Sequence, residues 1–350
     1  MSNQSTYHHL LPQTFSGSWK HYQDSVYAVL KGNTAGADKN TANFGGINHY
    51  HTIRAGFLIA TASECKQFFQ PLKNYTVIIN EHMVTDVHIM NEAFYDFDNW
   101  TIQDASGTDI IGKKKDSLKK SILATKIQHV ESNWSSQFEN YWGTIVQEVV
   151  QTGYDAIFTY TVPHLMKATY REELIEFMIS MKWRTRPYPN EFIEYVNAKL
   201  SPQFDKLDLR KMEIPQAERF FPFLETVYDE YAHNYLLTVF EEFQQGKGLM
   251  MKEVNRLKNH YSLTLCFAPS STEFILSDNP VYEFYKKDGK RRYFFPITPK
   301  VAILFSPGSS INHYVLHAMK RQDVLQFNRE MRANCHEVYM MKGPNPLYYF

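Results

Sequence analysis

Along the middle of the chain, apolar positions recur three and four apart. Leu118, Ile122, Leu123, Ile127 and Val130 lie under a lysine-rich face across residues 113–131. From Ser132 to a stop at Gly153 come Phe138, Tyr141, Trp142, Ile145, Val146 and Val149. From Pro163 come Leu165, Met166, Tyr170, Leu174, Phe177, Met178 and Met181, up to Arg184-Thr185-Arg186-Pro187. This spacing lays one apolar stripe on each of a series of helices, and the proline stops the last of them. A small helix over 190–200 and a long one over 214–245, with Pro222 near its start, extend the series. Residues 113–260 are therefore expected to form a helical bundle.

After Gly248 the period changes to that of short β-branched and aromatic runs, at residues 261–267, 273–276, 281–285, 292–297 and 301–305. Asp288-Gly289 between lysine-flanked runs predicts a two-residue type I′ turn, with 281–285 pairing against 293–297. A helix over 321–333 and a strand over 336–341 complete a small, mostly antiparallel sheet across residues 261–341. At the other end, residues 7–15 read as an ordered arm, because Pro12 holds Leu11 extended. Tyr22, Val26, Tyr27 and Leu30 predict a first helix that Gly32 stops, so arm and helix fill residues 1–31. Residues 33–46 read as a loop, 63–72 as a helix and 75–79 as a strand; no period stands out over 81–109. The expected fold class is α+β: one unit over residues 1–350, a helical bundle with a small antiparallel sheet and an ordered N-terminal arm.

Composition narrows the function classes. Lys plus Arg equals Asp plus Glu at 37 each, so bulk charge provides no non-specific grip on nucleic acid or anionic membrane, and a polyanion site has to be local. Cys65, Cys266 and Cys335 are odd in number and far apart, which fits a reducing compartment rather than a disulfide framework. No segment reaches the roughly 18 apolar residues of a membrane span, so a cytoplasmic protein is expected. There is no Gly-rich phosphate loop, no His-Glu-x-x-His and no Gly-x-Ser-x-Gly.

Candidate chemistry concentrates in Ser277-Asp278-Asn279-Pro280, where a strand ends in a polar pair beside a core. Such groups need partners, supplied either by the protein or by a ligand. An Asx turn at a strand end uses the same residues. Arg184 is a candidate partner for Asp278, although an arginine at a helix C-terminus also satisfies carbonyls. His8 and His9 offer a metal ligand or an acid–base group. His49 and His51 with Arg54 share one side if they lie on a strand, but they lack a third ligand. Lys286, Lys287, Lys290, Arg291 and Arg292 on the hairpin, and the lysines at 113–115, 119 and 120, are candidate phosphate contacts or merely solvated faces.

Taken in order, His8, His9, Pro12 and Gln13; Glu139; Arg184, Thr185 and Pro187; Ser277 to Pro280; Pro296 to Pro299; and Phe327-Asn328 resemble the blocks of a family of uncharacterised bacterial proteins known only as a domain of unknown function. Met181 stands where that family often has Gln, and residues 33–100 match none of its blocks. The resemblance implies a shared fold and polar site, not an activity. On it, His8, His9, Arg184, Asp278, Asn279 and Asn328 are expected to meet in one cleft. His9 and Asp278 would then be placed to hold a divalent metal ion. The reading that follows is a hydrolase of phosphodiester or nucleotide substrates, a nuclease in a mobile-element or phage-defence setting. The alternative is a non-catalytic binding or assembly module whose polar cluster is structural, with the tail Leu347-Tyr348-Tyr349-Phe350 docking on a protein partner or a second copy.

Overall fold

The computed structural model describes residues 6–159, 165–186, 188–204, 206–309 and 311–350. The architecture is mixed α+β with several small sheets, and the chain divides into two compact units. One is built on His49–Ser132 and Val196–Glu241, the other on Ser5–Asn48, Asn133–Tyr195 and Glu242–Phe350. No helix among the described residues is long and apolar enough to cross a membrane.

The first unit holds a three-stranded antiparallel sheet, His82–Val84, Thr76–Ile79 and Thr101–Gln103, with Thr76–Ile79 in the centre. Helix Ala62–Phe68 opens on a capping box: the Thr61 hydroxyl accepts from the Glu64 N–H, and the Glu64 carboxylate accepts from the Thr61 N–H. The lysine-rich segment is not one helix to residue 131. It ends at Ala124, and a second helix runs over His129–Trp134, because residues 125–128 leave the helix for a bridge between Ile127 and Ile53. The long helix expected over 214–245 is likewise shorter, Val227–Gln244. Residues 214–224 form turns instead, where Arg219 donates to the Ile214 carbonyl and Arg54 to that of Phe220.

The second unit carries a six-stranded sheet in the order Tyr282–Tyr285, Arg291–Pro296, Val301–Pro307, Tyr261–Phe267, His313–Ala318 and Leu165–Lys167. All neighbours are antiparallel except His313–Ala318 against Tyr261–Phe267. Helix Arg171–Arg184 opens on a charged turn, and from Phe177 to Arg184 it is buried on every face, as a helix end inside a core must be. Its Phe177 stacks on Trp142 with centroids 3.6 Å apart, and Phe15 of the arm closes on both rings and on Phe295. Helix Gly248–His260, which the expected bundle did not resolve, ends where the Arg171 guanidinium donates to the carbonyls of Leu257, Lys258 and Tyr261.

Several local expectations change. Residues 22–30 are not helical: Ser25–Leu30 is a strand between Val338–Met341 and Ala37–Asn40, with Val26 and Ala28 buried on one face. The β-branched and aromatic side chains there favour the pleat once partner strands exist. The helix placed from Ser132 starts differently, with a π-helical turn Ser135–Glu139 before Asn140–Thr159, and it runs through Gly153. Residues 163 and 187, where the sequence predicts a helix start and stop, lie outside the described residues. Leu165–Lys167 is a strand, and the helix begins at Arg171. The basic hairpin exists, but Tyr282 lies opposite Phe294 and Tyr285 opposite Arg291, so a five-residue loop replaces the expected two-residue turn and the pairing is shifted from the register that turn would set. Gly289 takes φ +67° within that exposed loop.

Asn328 shows what holds the C-terminal segment. Fully buried on helix Arg321–Asn334, it accepts from the Ile275 N–H (3.1 Å) and donates to the carbonyls of Glu273 (2.8 Å) and Tyr349 (2.9 Å). Asn328→Ala orphans all three backbone groups, so urea denaturation should show a loss of about 3 kcal/mol. A loss under about 0.5 kcal/mol, the range of a neutral surface change, would show that water replaces the amide.

Candidate functional site

Arg184 emerges fully buried at the end of its helix. It donates 2.7 Å bonds to the Glu139 carboxylate and to the His9 carbonyl, and its guanidinium lies 4.9 Å from the Trp134 ring centre. Its partner is therefore Glu139, not Asp278. The arm strand Tyr7–His9 it holds pairs with Gly46–Asn48, and only glycine fits at position 46, where a Cβ would sit 2.5 Å from the His8 carbonyl oxygen. His8 is buried, and the His9 ring faces the carbonyls of Thr41 and Ala42 and the Gln13 amide.

Asp278 does different work. Its carboxylate accepts from the backbone N–H groups of His336 (2.7 Å), Glu337 (2.6 Å) and Val338 (2.9 Å), and so starts the last strand. The Asn279 amide donates to the Asn334 carbonyl, and the Ser277 hydroxyl to that of Asn279. Among the described residues, the six predicted site residues fall into three hydrogen-bonded groups, and Asp278 lines a cavity of about 220 Å³ with Leu10, Leu11 and Gly46 beside the arm. They form an arm clasp at Arg184, a strand clasp at Asp278 and Asn279, and the separate anchor at Asn328. His9 and Asp278, expected as metal ligands, share no hydrogen bond: the His9 ring faces two carbonyls and the Gln13 amide, and the Asp278 carboxylate takes three backbone N–H groups. The other histidine pair also separates. His49 sits in a turn at φ +63° with Lys126 3.0 Å from its ring, while His51 is buried against Glu131. The lysine-rich helix docks inward as well, Lys115 to the carbonyls of Asp98 and Trp100 and Lys119 to the Asp98 carboxylate. The C-terminal aromatic tail packs on its own chain through buried Tyr349 and a Tyr348–Lys300 contact, leaving Leu347 exposed.

A cavity of about 1110 Å³ in the second unit lies elsewhere, between helix Gly248–His260, the end of helix Arg171–Arg184 and the basic hairpin. Lys182 points its ammonium among three carboxylates: Glu253 at 2.8 Å, Glu283 at 3.2 Å and Glu191 at 3.6 Å. Trp183 and Tyr293 also donate to Glu253, at 3.1 and 3.0 Å. Burial alone would lower the Lys182 pKa, but the three carboxylates outweigh it and hold the ammonium above its ordinary value. Burial likewise pushes Glu191 up, and Lys182 and Arg291 bring it below the usual carboxylate range. The three carboxylates have oxygens within 4.8 Å of one another, a spacing that suits a metal ion. Lys182 already supplies a tethered cation at that point.

Lys182, Arg256 and Arg291 together offset these acids, and the cavity presents Lys252, Arg256, Lys290 and Arg291 beside the rings of Trp183, Tyr261 and Tyr285. Arg256 is braced by the hydroxyls of Tyr261 and Tyr293, and Arg291 by Glu191, Glu283 and Tyr285. Lys252, His260 and Lys290 are exposed and have no side-chain partner among the described residues. Two of the five basic hairpin residues picked from sequence thus line a cavity, whereas Arg292 is turned back onto Asp288 at 2.7 Å. Lys182, Arg256 and the glutamates were not picked. The one available signal was a charged Lys-Trp-Arg directly after the largely apolar run at 177–181.

In the first unit, the His129 ring lies between the carboxylates of Glu64 (3.3 Å) and Glu241. The hydrogen bond to Glu241, against the opposing effect of burial, raises its pKa. These three residues also have ligand-type atoms within 4.8 Å of one another.

A family model described as Protein of unknown function (DUF4238) matches residues 7–342, nearly the whole chain. No curated protein and no solved structure matches it.

Lys182→Met leaves buried Glu253 with only the longer Arg256 contact at 3.4 Å, and chemical denaturation at neutral pH should show a loss of about 3 kcal/mol, the low end for breaking a buried pair. The pH dependence has two signs. The raised Lys182 pKa gives stability that is complete below the ordinary lysine value and lost as pH rises through the folded one. The lowered Glu191 pKa gives stability present above the ordinary glutamate value and lost as pH falls through the folded one. The variant should flatten both limbs; unchanged limbs would remove Lys182 from control of the network. For His129, stability should be complete below about pH 6.5, the ordinary imidazole value, and decline as pH rises through the raised value. His129→Gln should abolish that decline in a melting series from acid to neutral pH.

Proposed function

Since the chain belongs to that family, whose description assigns no activity, its own residues have to indicate what it does, and we propose that it binds a phosphate-bearing ligand, a nucleotide or a single nucleic-acid strand, in the Arg256–Arg291 cavity. The observation that carries this reading is the lining itself: four cations against two glutamates, with those glutamates held by Lys182 and Arg291. Braced guanidinium groups bind phosphate well because little of their freedom is lost on contact. Trp183, Tyr261 and Tyr285 add rings on which a base can lie. A volume near 1110 Å³ suits a ligand of nucleotide size or larger.

The hydrolase reading of the sequence moves to this cavity. Arg184 and Asp278, engaged in clasps, are replaced as phosphate-facing groups by Arg256 and Arg291. His260 at the rim is the proposed proton-transfer group, and Lys252 and Lys290 are the mobile phosphate contacts. Hydrolysis of a phosphodiester bond is the finer part of the proposal. The module alternative keeps one specific support: the motif residues are satisfied within the chain, which is what a structural network requires.

Fluorescence anisotropy with a labelled single-stranded oligonucleotide, and with a labelled nucleoside triphosphate, tests the binding. Lys252→Glu and Lys290→Glu should each weaken it and reduce the slope of log K against log salt by about 0.7 to 1. Both side chains are exposed, so folding should be unaffected. Binding that keeps its slope in the double variant would sink the assignment. His260→Ala should leave binding intact while abolishing any hydrolysis.

A further inference from the structure

A second cavity in the same unit has the opposite chemistry. It is about 340 Å³ and lies where the π-helical turn Ser135–Glu139 and helix Asn140–Thr159 face helix Arg171–Arg184. The stacked pair Trp142 and Phe177 stands at one side, with Phe138, Tyr141 and Tyr170 around it. The π turn inserts an extra residue ahead of helix Asn140–Thr159 and so re-aims Phe138, which stacks on Phe243 at 5.3 Å, relative to Trp142. Tyr170, the residue before the facing helix, is held at φ +56°, a conformation that a tyrosine rarely adopts. Its hydroxyl donates to Glu148 at 2.8 Å, which fixes the ring.

Two carboxylates complete the lining. Glu173 and Glu176 lie three apart on helix Arg171–Arg184, one turn before Phe177, and both face this cavity. Neither has a hydrogen bond or an ion pair among the described residues. No lysine, arginine or histidine is part of the lining. Burial, together with Glu172 and Glu173 beside it and against Lys258, holds the Glu176 carboxyl above the ordinary range. A half-buried acid that Lys258 reaches only through its field, and that has a cluster of π faces and no cation beside it in the cavity lining, is half of an interaction.

We propose that this cavity binds an organic ammonium ligand, a quaternary or alkylated amine, between the Trp142, Tyr141 and Tyr170 rings and the carboxylates of Glu173 and Glu176. The chemistry selects against the alternatives. A phosphate would meet two carboxylates and no cation. A hydrated divalent metal would gain nothing from the rings. A neutral apolar molecule would leave both acids unsatisfied. An alkylated ammonium spreads its charge over methyl groups, loses little hydration on entry and meets both the ring faces and the acids. The volume accommodates such a head group with a short chain.

Choline and phenyltrimethylammonium are the probes, titrated into the full chain by calorimetry and by quenching of tryptophan emission. The neutral isostere 3,3-dimethylbutan-1-ol is the control. Saturable binding of at least one ammonium probe is expected, with the isostere weaker by about tenfold or more, the discrimination expected of a desolvated cation–π site. Glu176→Gln, which keeps the shape of the side chain, and Tyr141→Ala, at an exposed ring, should each lower affinity by about tenfold. Melting temperatures taken alongside should confirm that both variants fold. No saturation below roughly 10 mM, weaker than any useful small-ligand site, would overturn the proposal. Equal affinity for the isostere, or affinity that survives in the folded Glu173→Gln/Glu176→Gln double variant, would do the same. Competition by the nucleoside triphosphate is not expected, so this result stands or falls separately from phosphate binding in the larger cavity.

Discussion

A lysine ammonium held among three glutamates determines what the larger cavity can accept. Without Lys182, the oxygens of Glu191, Glu253 and Glu283 would repel one another and any anion nearby, and would either bind protons or recruit a metal ion. With it, one of the three charges is offset at their meeting point, Arg256 and Arg291 offset the others, and their guanidinium faces line the cavity. The same carboxylates then work a second time as braces: Glu191 and Glu283 hold Arg291, and Glu253 with the Tyr293 hydroxyl holds Arg256. A network of this kind adds little net stability over an apolar core, since each ion loses hydration. Its return is preorganisation.

Helix Arg171–Arg184 is where these demands meet. It begins with Arg171 closing the end of helix Gly248–His260, carries Glu173 and Glu176 to the smaller cavity, and packs Phe177 on Trp142. Its last turn sends Lys182 to the carboxylate network, Trp183 to Glu253 and Arg184 to the arm. A helix committed on every side cannot rotate or slide without breaking several buried polar contacts. That rigidity is what allows two cavities on one helix to keep fixed geometry.

How far the sequence could be read depends on where each pattern gets its energy. Strand 261–267 was legible to the residue because its β-branched and aromatic run is bounded by turn signals and buried by neighbours on both sides. Strand Ser25–Leu30 was not: Tyr22, Val26, Tyr27 and Leu30 fit a helical spacing, and what overrides it is pairing with Val338–Met341, more than 300 positions away. The Asp-Asn-Pro cluster was rightly singled out as needing partners, but residue types cannot say whether those partners are ligands or backbone. Here three N–H groups at 336–338, some sixty positions away, take the carboxylate, so its partners are backbone but not those of a local Asx turn. The hairpin cations were visible, and their role beside a cavity was not, since Glu253 and Arg256 sit on a helix whose apolar stripe is short.

The two cavities also explain how a chain with equal numbers of acidic and basic residues can serve ligands of opposite charge. Net neutrality removes the long-range field, so neither ligand is steered or repelled from a distance, and selection falls to contacts within a Debye length of about 8–10 Å. Within that range the local sign is set by pairing. At the larger cavity Lys182, Arg256 and Arg291 balance three glutamates and Lys252 and Lys290 are left over; at the smaller one Glu173 and Glu176 are left over and rings line the wall. Salt should therefore act on the two unequally. A polyanion releases condensed counter-ions as it binds, and so loses affinity steeply as salt rises. A small ammonium ion releases none, and much of its binding comes from ring faces and lost water, which salt screens only weakly.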